Sequence, residues 1–137
     1  MAQLVRFGVS LEKDLLERFD GHCRGRKYTN RSEAIRDLIR EDLVKKQWRE
    51  GFEIAGTITM IYDHHRRSLV NKLMELQHDF GGIIISTQHI HLDHHNCLEI
   101  IAVKGKPQKA QELADTLKAV KWVKHVALSL SSTGRDI

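Results

Sequence analysis

The segment at residues 83–103, IIISTQHIHLDHHNCLEIIAV, consists of two runs rich in β-branched residues on either side of a polar turn. Short runs of this kind are typical of strands. The spacing predicts a hairpin, with strands over 83–92 and 97–103. Similar runs at 52–62 and 122–130 predict one further strand on each side of the hairpin.

Two amphipathic helices are predicted between these strands. Leu69 and Leu73 belong to an apolar stripe at helical spacing that ends before the glycine pair 81–82, and a second stripe follows Pro107. The resulting order is strand, helix, strand, strand, helix, strand. This βαββαβ order predicts an α+β fold, a ferredoxin-like (ACT-like) sandwich over residues 52–132 with its helices on one face of the sheet.

The beginning of the chain predicts a strand followed by two helices. Residues 5–11, VRFGVSL, alternate apolar with polar or small side chains, which is the pattern of a half-buried strand. Ser10 stands where the N-cap of the first helix is expected. Asn30 and Glu33 have capping-box spacing at the start of the second helix.

The charged stretch 45–50 is predicted to be a linker between two domains, at 1–48 and 52–132. The first 50 residues contain 12 basic and nine acidic side chains, so most of the net charge of +4 lies in the first domain. A basic excess favours an anionic partner for that domain. The alternative is ordinary surface charge that keeps the protein in solution.

The predicted N-terminal strand needs a partner, because a segment of about 45 residues with one strand cannot build a stable core alone. The same strand of a second chain would complete a two-stranded ribbon, which fits the major groove of DNA. The start of the second helix adds free N–H groups that can bind phosphate. The alternative is an edge strand of a mixed domain with a solvated Arg6. The predicted DNA contacts are Arg6, Gly8, Ser10, Asn30, Arg31 and Ser32.

The hairpin carries a candidate metal site. His89 and His91 are two residues apart on one strand, so both side chains leave the same face, and Cys97 returns across the turn. Two imidazoles and a thiolate suit a borderline transition metal such as Ni, Cu, Zn or Co. Glu99 can hydrogen-bond a ligand histidine. The alternative is that the histidines are polar surface residues and the cysteine a small buried hydrophobe.

His78, at the end of the first helix of the second domain, is the candidate fourth ligand. A helix on the opposite side of the sheet could hardly reach the hairpin within one chain, so we expect His78 to come from another subunit. Without a fourth ligand, the metal would keep an open coordination position that permits catalysis, but no candidate acid, base or nucleophile accompanies the site. The remaining histidines of this domain are expected at the surface: His64, His65, His94, His95 and His125.

Composition excludes several classes of protein. None of the apolar runs in the 137 residues approaches the roughly 20 residues that span a bilayer, and the N-terminus lacks the apolar core of a secretory signal. Two cysteines cannot form a disulfide framework. We therefore expect a cytoplasmic protein without a membrane partner.

Both halves of the chain resemble a known family. The segment Tyr28-x-Asn30-Arg31-Ser32-Glu33-Ala34-Ile35-Arg36-Asp37, with the strand before it, resembles ribbon-helix-helix repressors. The second half is similar to the nickel-responsive regulator family (NikR), and the resemblance covers nearly the whole chain. The motifs that carry it are Tyr62-Asp63-His64-x-Arg66-Arg67, Leu76-Gln77-His78, His89-x-His91, Cys97-Leu98-Glu99 and Val103-Lys104-Gly105.

The resemblance implies one square-planar Ni(II) per chain, held by His89, His91, Cys97 and His78 of the partner subunit. It also implies that Glu99 and Gln77 support those ligands. The implied assembly is a homotetramer, a dimer of dimers, whose nickel-bound form represses nickel uptake genes at a two-fold symmetric double-stranded DNA operator. The implied protein is not an enzyme.

Two further features follow from the resemblance. Glu33 and Asp37 match positions implied to hold a second cation, and Arg66 and Arg67 match residues implied to reach the DNA backbone. For both pairs the alternative is a solvated surface. The family commonly has a hydroxyl side chain where this sequence has Gly8, so we expect a different operator sequence.

Two other functions remain open. One is a ribbon-helix-helix regulator whose second domain binds an organic effector, with the histidines incidental. The other is a metal hydrolase in which His89, His91 and Cys97 hold an activated water. The lack of an accompanying acid or base disfavours the hydrolase.

Overall fold

The computed structural model describes residues 2–137, which divide into a compact unit that ends at Glu41 and a second unit, Asp42–Ile137. None of the helices in this part of the chain has the length and apolar character needed to cross a membrane. The elements in chain order are α1 (Lys13–Gly25), α2 (Arg31–Glu50), β1 (Ile54–Tyr62), α3 (Arg67–Asp79), β2 (Ile84–His91), β3 (Cys97–Gly105), α4 (Pro107–Lys118) and β4 (Val123–Leu130).

The four strands form one antiparallel sheet in the order β2-β3-β1-β4. With a helix after β1 and another after β3, this is the predicted ferredoxin-like sandwich. The predicted hairpin is β2 and β3, whose register pairs Ile90 with Leu98. The α+β fold is therefore confirmed, and every strand predicted in the second half of the chain forms.

The core of the second unit lies between one face of the sheet and helices α3 and α4. Alternate residues of β1 and β3 are buried on that face, as a period of two requires. Ile58, Ile101 and Leu113 have no exposed surface. Leu69 and Leu73 of α3 join the same cluster, which confirms the apolar stripe that predicted this helix.

The first unit has a much smaller interior. Of its described residues only Cys23 and Ala34 are buried, whereas Leu15, Leu38 and Ile39 remain about half exposed. The Oδ1 atom of Asn30 accepts a hydrogen bond from the N–H of Glu33 at 2.9 Å, so the predicted cap of α2 is confirmed. An apolar face this exposed is typical of a surface that contacts another protein.

The predicted N-cap of α1 is wrong, because Glu12 rather than Ser10 occupies that position, with no side-chain cap. The predicted strand was expected to pair with a second copy of the chain, and in the single chain residues 5–11 form no strand. A strand needs a neighbour for its N–H and C=O groups, and the described part of the chain offers none here. Phe7 is 69% exposed, so the apolar side of the predicted strand lacks a partner as well.

The predicted linker at 45–50 is also wrong, because α2 continues through it to Glu50. The stretch has high helix propensity, and Lys46 lies 3.9 Å from Glu50, one turn later. Gly51 ends the helix with φ at 74°, a left-handed conformation that glycine adopts without strain.

We predict that Leu113→Ala lowers the free energy of unfolding by about 2–5 kcal/mol, because it leaves a cavity in a fully buried position. Chemical denaturation followed by circular dichroism measures this change. The matched control, Leu113→Met, should cost less than about 1.5 kcal/mol because it nearly conserves volume. An equal loss in both variants would contradict the packing described for this core.

Candidate metal centre

The hairpin brings three of the predicted ligands onto one face of the sheet. His91 pairs with Cys97 across the two strands, and His89 pairs with Glu99. Cys97 and Glu99 are each 1% exposed and belong to the face that the helices cover. The two histidines therefore lie at the edge of that covered face, each directly opposite a buried polar or sulfur-bearing side chain.

Glu99 is held by donors from two other elements. Its carboxylate accepts a hydrogen bond from Gln77 Nε2 at 2.5 Å and one from the Tyr62 hydroxyl at 3.2 Å. His89 Nε2 lies 2.9 Å from Glu99 Oε1. A carboxylate beside Nε2 favours the tautomer with a proton there, which leaves Nδ1 of His89 with a free lone pair. The predicted supporting role of Glu99 and Gln77 thus has a physical basis in these contacts.

Tyr62 completes this polar group at the end of β1. Its hydroxyl also lies 3.4 Å from His89 Nδ1. Burial, together with the negative charge of Glu99, raises the pKa of Tyr62 far above its ordinary value. Tyr62 therefore stays protonated and serves as a hydrogen-bond donor to the carboxylate.

The donor set fits nickel. Cys97 is a free thiol with no disulfide partner, and it stands directly opposite His91. Thiolate sulfur and imidazole nitrogen are ligands that Ni(II) accepts. Mg²⁺ and Ca²⁺ prefer oxygen ligands, so this donor set disfavours them. Glu99 orients one of the imidazoles, as hydrogen-bonded carboxylates do around many metal sites.

The position of α3 corrects one step of the sequence reasoning. This helix does not lie on the opposite side of the sheet, because Gln77 reaches Glu99 and Leu73 is part of the shared core. His78, the next residue, is exposed. Among residues 2–137, His78 does not form a metal-spaced group with His89, His91 and Cys97. The four predicted ligands are therefore not assembled within one chain.

A cluster of five histidines adjoins the hairpin. The ring of His64 stacks on that of His91 with their centroids 4.4 Å apart, and His65, His94 and His95 continue the cluster. His64 is not a plain surface residue, because its Nδ1 is buried without a hydrogen-bond partner. Burial and the neighbouring imidazoles lower the pKa of His64, so the neutral form is favoured.

Sequence reasoning missed a group that includes two of these histidines. Among residues 2–137, Asp63, His65 and His95 are the only group of three His, Cys, Asp or Glu side chains whose ligand atoms all lie within 4.8 Å of one another. The available signal was the repeated tripeptide Asp-His-His, at 63–65 and again at 93–95. In each copy the aspartate accepts a hydrogen bond from the N–H two residues later.

The residues predicted to contact DNA are exposed, and one of them, Arg31, already has a carboxylate partner. Arg6, Gly8 and Ser10 are exposed in the segment without a strand, and Ser32 is exposed in the first turn of α2. Arg31 is paired with Asp20 through two contacts of 2.8 Å. In the second unit, Arg66 and Arg67 are exposed at the start of α3.

The predicted second cation site consists of two carboxylates that already have partners. Glu33 accepts a hydrogen bond from the Thr29 hydroxyl at 2.9 Å, and Asp37 accepts one from the Tyr28 hydroxyl at 2.7 Å. The hydrogen bond to Asp37 raises the pKa of Tyr28. These contacts offset part of the repulsion between the two carboxylates.

Comparison with known proteins identifies both parts of the chain. Residues 5–46 match the family model of ribbon-helix-helix proteins of the copG family, and residues 55–131 match the model of the NikR C-terminal nickel-binding domain. The chain belongs to the nickel-responsive regulator family. The resemblance inferred from the sequence motifs is thereby confirmed.

The curated relatives match over almost their whole length. A protein of Syntrophus aciditrophicus is 59% identical over 98% of this chain and 98% of its own. One of Chlorobium limicola is 58% identical over 98% of this chain and all of its own. Both carry the name nickel-responsive regulator.

We predict that the turn at Asp93 contributes stability that disappears in acid. The side chain of Asn96 and the backbone N–H groups of His95 and Asn96 donate to Asp93 and lower its pKa from 3.8 to about 2. Folding favours the charged form of Asp93. Its contribution to the free energy of unfolding is therefore complete above the ordinary pKa of 3.8 and disappears as the pH falls through the pKa of the folded state. Asp93→Asn should therefore melt below wild type at pH 7, and the difference should shrink between pH 3.8 and about 2. A difference in melting temperature that did not change with pH would contradict this assignment.

Proposed function

We propose that this chain is a nickel-responsive transcriptional repressor of nickel uptake genes, and that Ni(II) promotes its binding to a two-fold symmetric DNA operator. We assign DNA binding to residues 1–48 and metal binding to residues 52–132. The observation that carries the proposal is the paired arrangement of His89 and His91 with Glu99 and Cys97 on the hairpin of a NikR domain.

We assign one Ni(II) per chain to His89, His91, Cys97 and His78 of the partner subunit. Bound nickel would supply a Lewis-acidic centre that joins donors from two subunits. The support from this chain is that His78 is exposed and stands next to Gln77, whereas the three hairpin residues share one face. An exposed ligand on a helix is available to a second subunit.

The active form in this proposal is a homotetramer, a dimer of dimers. The first unit exposes apolar side chains that a second copy of the N-terminal segment would cover. The sheet of the second unit has a face without helices, on which apolar side chains are only half-buried. Those side chains are Ile61, Ile90, Leu98 and Ile100.

A chain of contacts connects the hairpin to α3. His89 lies against Glu99, Glu99 is hydrogen-bonded to Gln77, and Gln77 precedes His78 in the helix. Restraining His89 and His78 together therefore restrains the C-terminal end of α3 at two adjacent residues, Gln77 and His78. The first residues of this helix include Arg67, and Arg66 precedes it. We propose that these cations contact the DNA backbone when α3 is ordered.

The remaining assignments follow from the same function. The protein acts as a regulator and not as an enzyme, and the support for this is that its relatives are named as regulators. Because Cys97 must remain a free thiolate to bind the metal, we place the protein in a reducing compartment, the cytoplasm. Glu33 and Asp37 remain candidates for a second cation only when DNA is bound.

We predict that Ni(II) titrated into the metal-free protein produces a thiolate-to-nickel absorption band that saturates at one ion per chain. Cys97→Ala should abolish the band because it removes the sulfur donor. The affinity for nickel should fall as the pH is lowered from roughly 8 to 5.5, because the thiol and the three imidazoles must be deprotonated to bind.

The control for this titration is His65→Ala, which removes a member of the exposed group formed with Asp63 and His95. The band should survive this change with its stoichiometry intact. A band that persists in Cys97→Ala, or an affinity independent of pH, would contradict the ligand set. Persistence would favour the alternative regulator with an organic effector.

We also predict that the protein selects an inverted-repeat duplex from a random-sequence library only when nickel is present. The proposed coupling through Glu99 and α3 gives nickel a higher affinity for the DNA-competent arrangement, which is required of any effector. Equilibrium binding to the selected duplex, with and without nickel, measures the effect. Equal affinity in both conditions would refute nickel control of DNA binding.

A further inference from the structure

Trp122 has a backbone conformation that tryptophan rarely adopts. Its φ is 73°, in the left-handed region, and it lies in the short connection between α4 and β4. A bulky non-glycine residue at positive φ is an outlier whose strain must be offset by its surroundings. Burial does not supply the offset, because Trp122 is 46% exposed. The strained backbone at Trp122 therefore requires an explanation other than packing in the core.

The exposed ring contacts two cations. The Arg66 guanidinium carbon lies 4.3 Å from the ring centroid of Trp122, and the Lys121 ammonium nitrogen lies 4.6 Å from it. Both separations are within the range in which an aromatic ring attracts a cation. The ring thus holds together two side chains from different parts of the second unit, one beside α3 and one after α4.

Neither cation is neutralised by the protein. Within residues 2–137, no carboxylate lies within 4.0 Å of Arg66 or Lys121. A third cation, Lys72, lines the same shallow groove between α3 and α4 as Lys121 and Trp122. Grouping positive charges without a counter-charge costs energy, and an external anion would recover it.

The charge of the surface favours a polyanion over a small free anion. The cations are carried on exposed side chains, and no buried polar group narrows the groove into a pocket among the described residues that line it. Exposed cations spaced along a surface match the repeated charges of a nucleic acid backbone, which contribute to affinity without sequence information. The ribbon-helix-helix match of residues 5–46 makes duplex DNA the polyanion that this chain meets.

We propose that Trp122 is a positioning residue for DNA binding: its ring holds the Arg66 and Lys121 side chains toward backbone phosphates. This inference rests on the proposed function, in which the second unit contacts DNA. Trp122 itself need not touch the DNA. Its contribution is to reduce the conformational freedom that the two long side chains would otherwise lose on binding.

Trp122→Gly and Trp122→Asn test the proposal without threatening the fold. Glycine adopts positive φ freely and asparagine tolerates it, so both variants should melt no lower than wild type. Both remove the ring and leave every charge in place. The nickel absorption band should be unchanged in both, because neither substitution alters a proposed ligand.

The measurement is the fluorescence anisotropy of a labelled mixed-sequence duplex with the full-length, nickel-loaded protein over a series of salt concentrations. We expect both Trp122 variants to bind about two- to fivefold more weakly, as removal of an exposed cation–π interaction implies. The slope of log Kd against log salt should become shallower, by roughly one for each phosphate that the variant no longer neutralises.

The decisive comparison uses the R66Q/K121Q background. If Trp122 acts through these two cations, adding Trp122→Gly to that background should change neither Kd nor the salt slope. If Trp122→Gly weakened DNA binding equally in both backgrounds, Trp122 would have a general structural role and the proposal would be overturned. Wild-type Kd values in both single Trp122 variants would also overturn it. Failure of the unmodified protein to bind DNA would instead refute the proposed function, and with it this inference.

Discussion

A carboxylate that is 1% exposed must be satisfied by the protein itself, and Glu99 is satisfied by three elements at once. Gln77 donates from α3, Tyr62 donates from β1, and His89 contacts it from β2. Removing any one partner would leave polar atoms buried without hydrogen bonds, which costs about 1–3 kcal/mol or more for a charged group. The carboxylate therefore fixes the hairpin, the first strand and the helix relative to one another, and it does so at the proposed metal centre.

The register of the hairpin is what allows this arrangement. His89, His91, Cys97 and Glu99 share a face because their spacing is two within each strand and the pairing joins 89 to 99 and 91 to 97. A slip of one residue would turn one pair of side chains to the other face and separate imidazoles from sulfur. The alternation of buried residues along β3 opposes such a slip, because Ile101 and Val103 would leave the core with it. The hydrophobic pattern that builds the sheet thus also sets the donor geometry.

Sequence reasoning succeeded for those elements whose formation is determined by neighbouring residues or by a periodic pattern. The strands of the second unit, its two helices and the Asn30 cap follow from β-branched runs, apolar stripes and a three-residue spacing. It failed where the packing of another element decides the structure, because the side of the sheet occupied by α3 depends on the packing of Leu69 and Leu73. The strand predicted over residues 5–11 lacks a neighbour in the single chain. His64 looked like a surface residue because its stacking on His91 joins positions that are far apart in the sequence.

The contrast between the two units bears on how DNA binding depends on assembly. The first unit buries only Cys23 and Ala34 among its described residues, too little for independent stability, whereas the second has a continuous core. In the proposed tetramer, the second units would hold the first units close together and raise their effective concentration for pairing. Dimerisation of the N-terminal segment would then complete both its sheet and its apolar interior in one step. Because a ribbon exists only in the pair, the free energy that assembles the second units in the proposed tetramer would contribute directly to the stability of the DNA-reading surface.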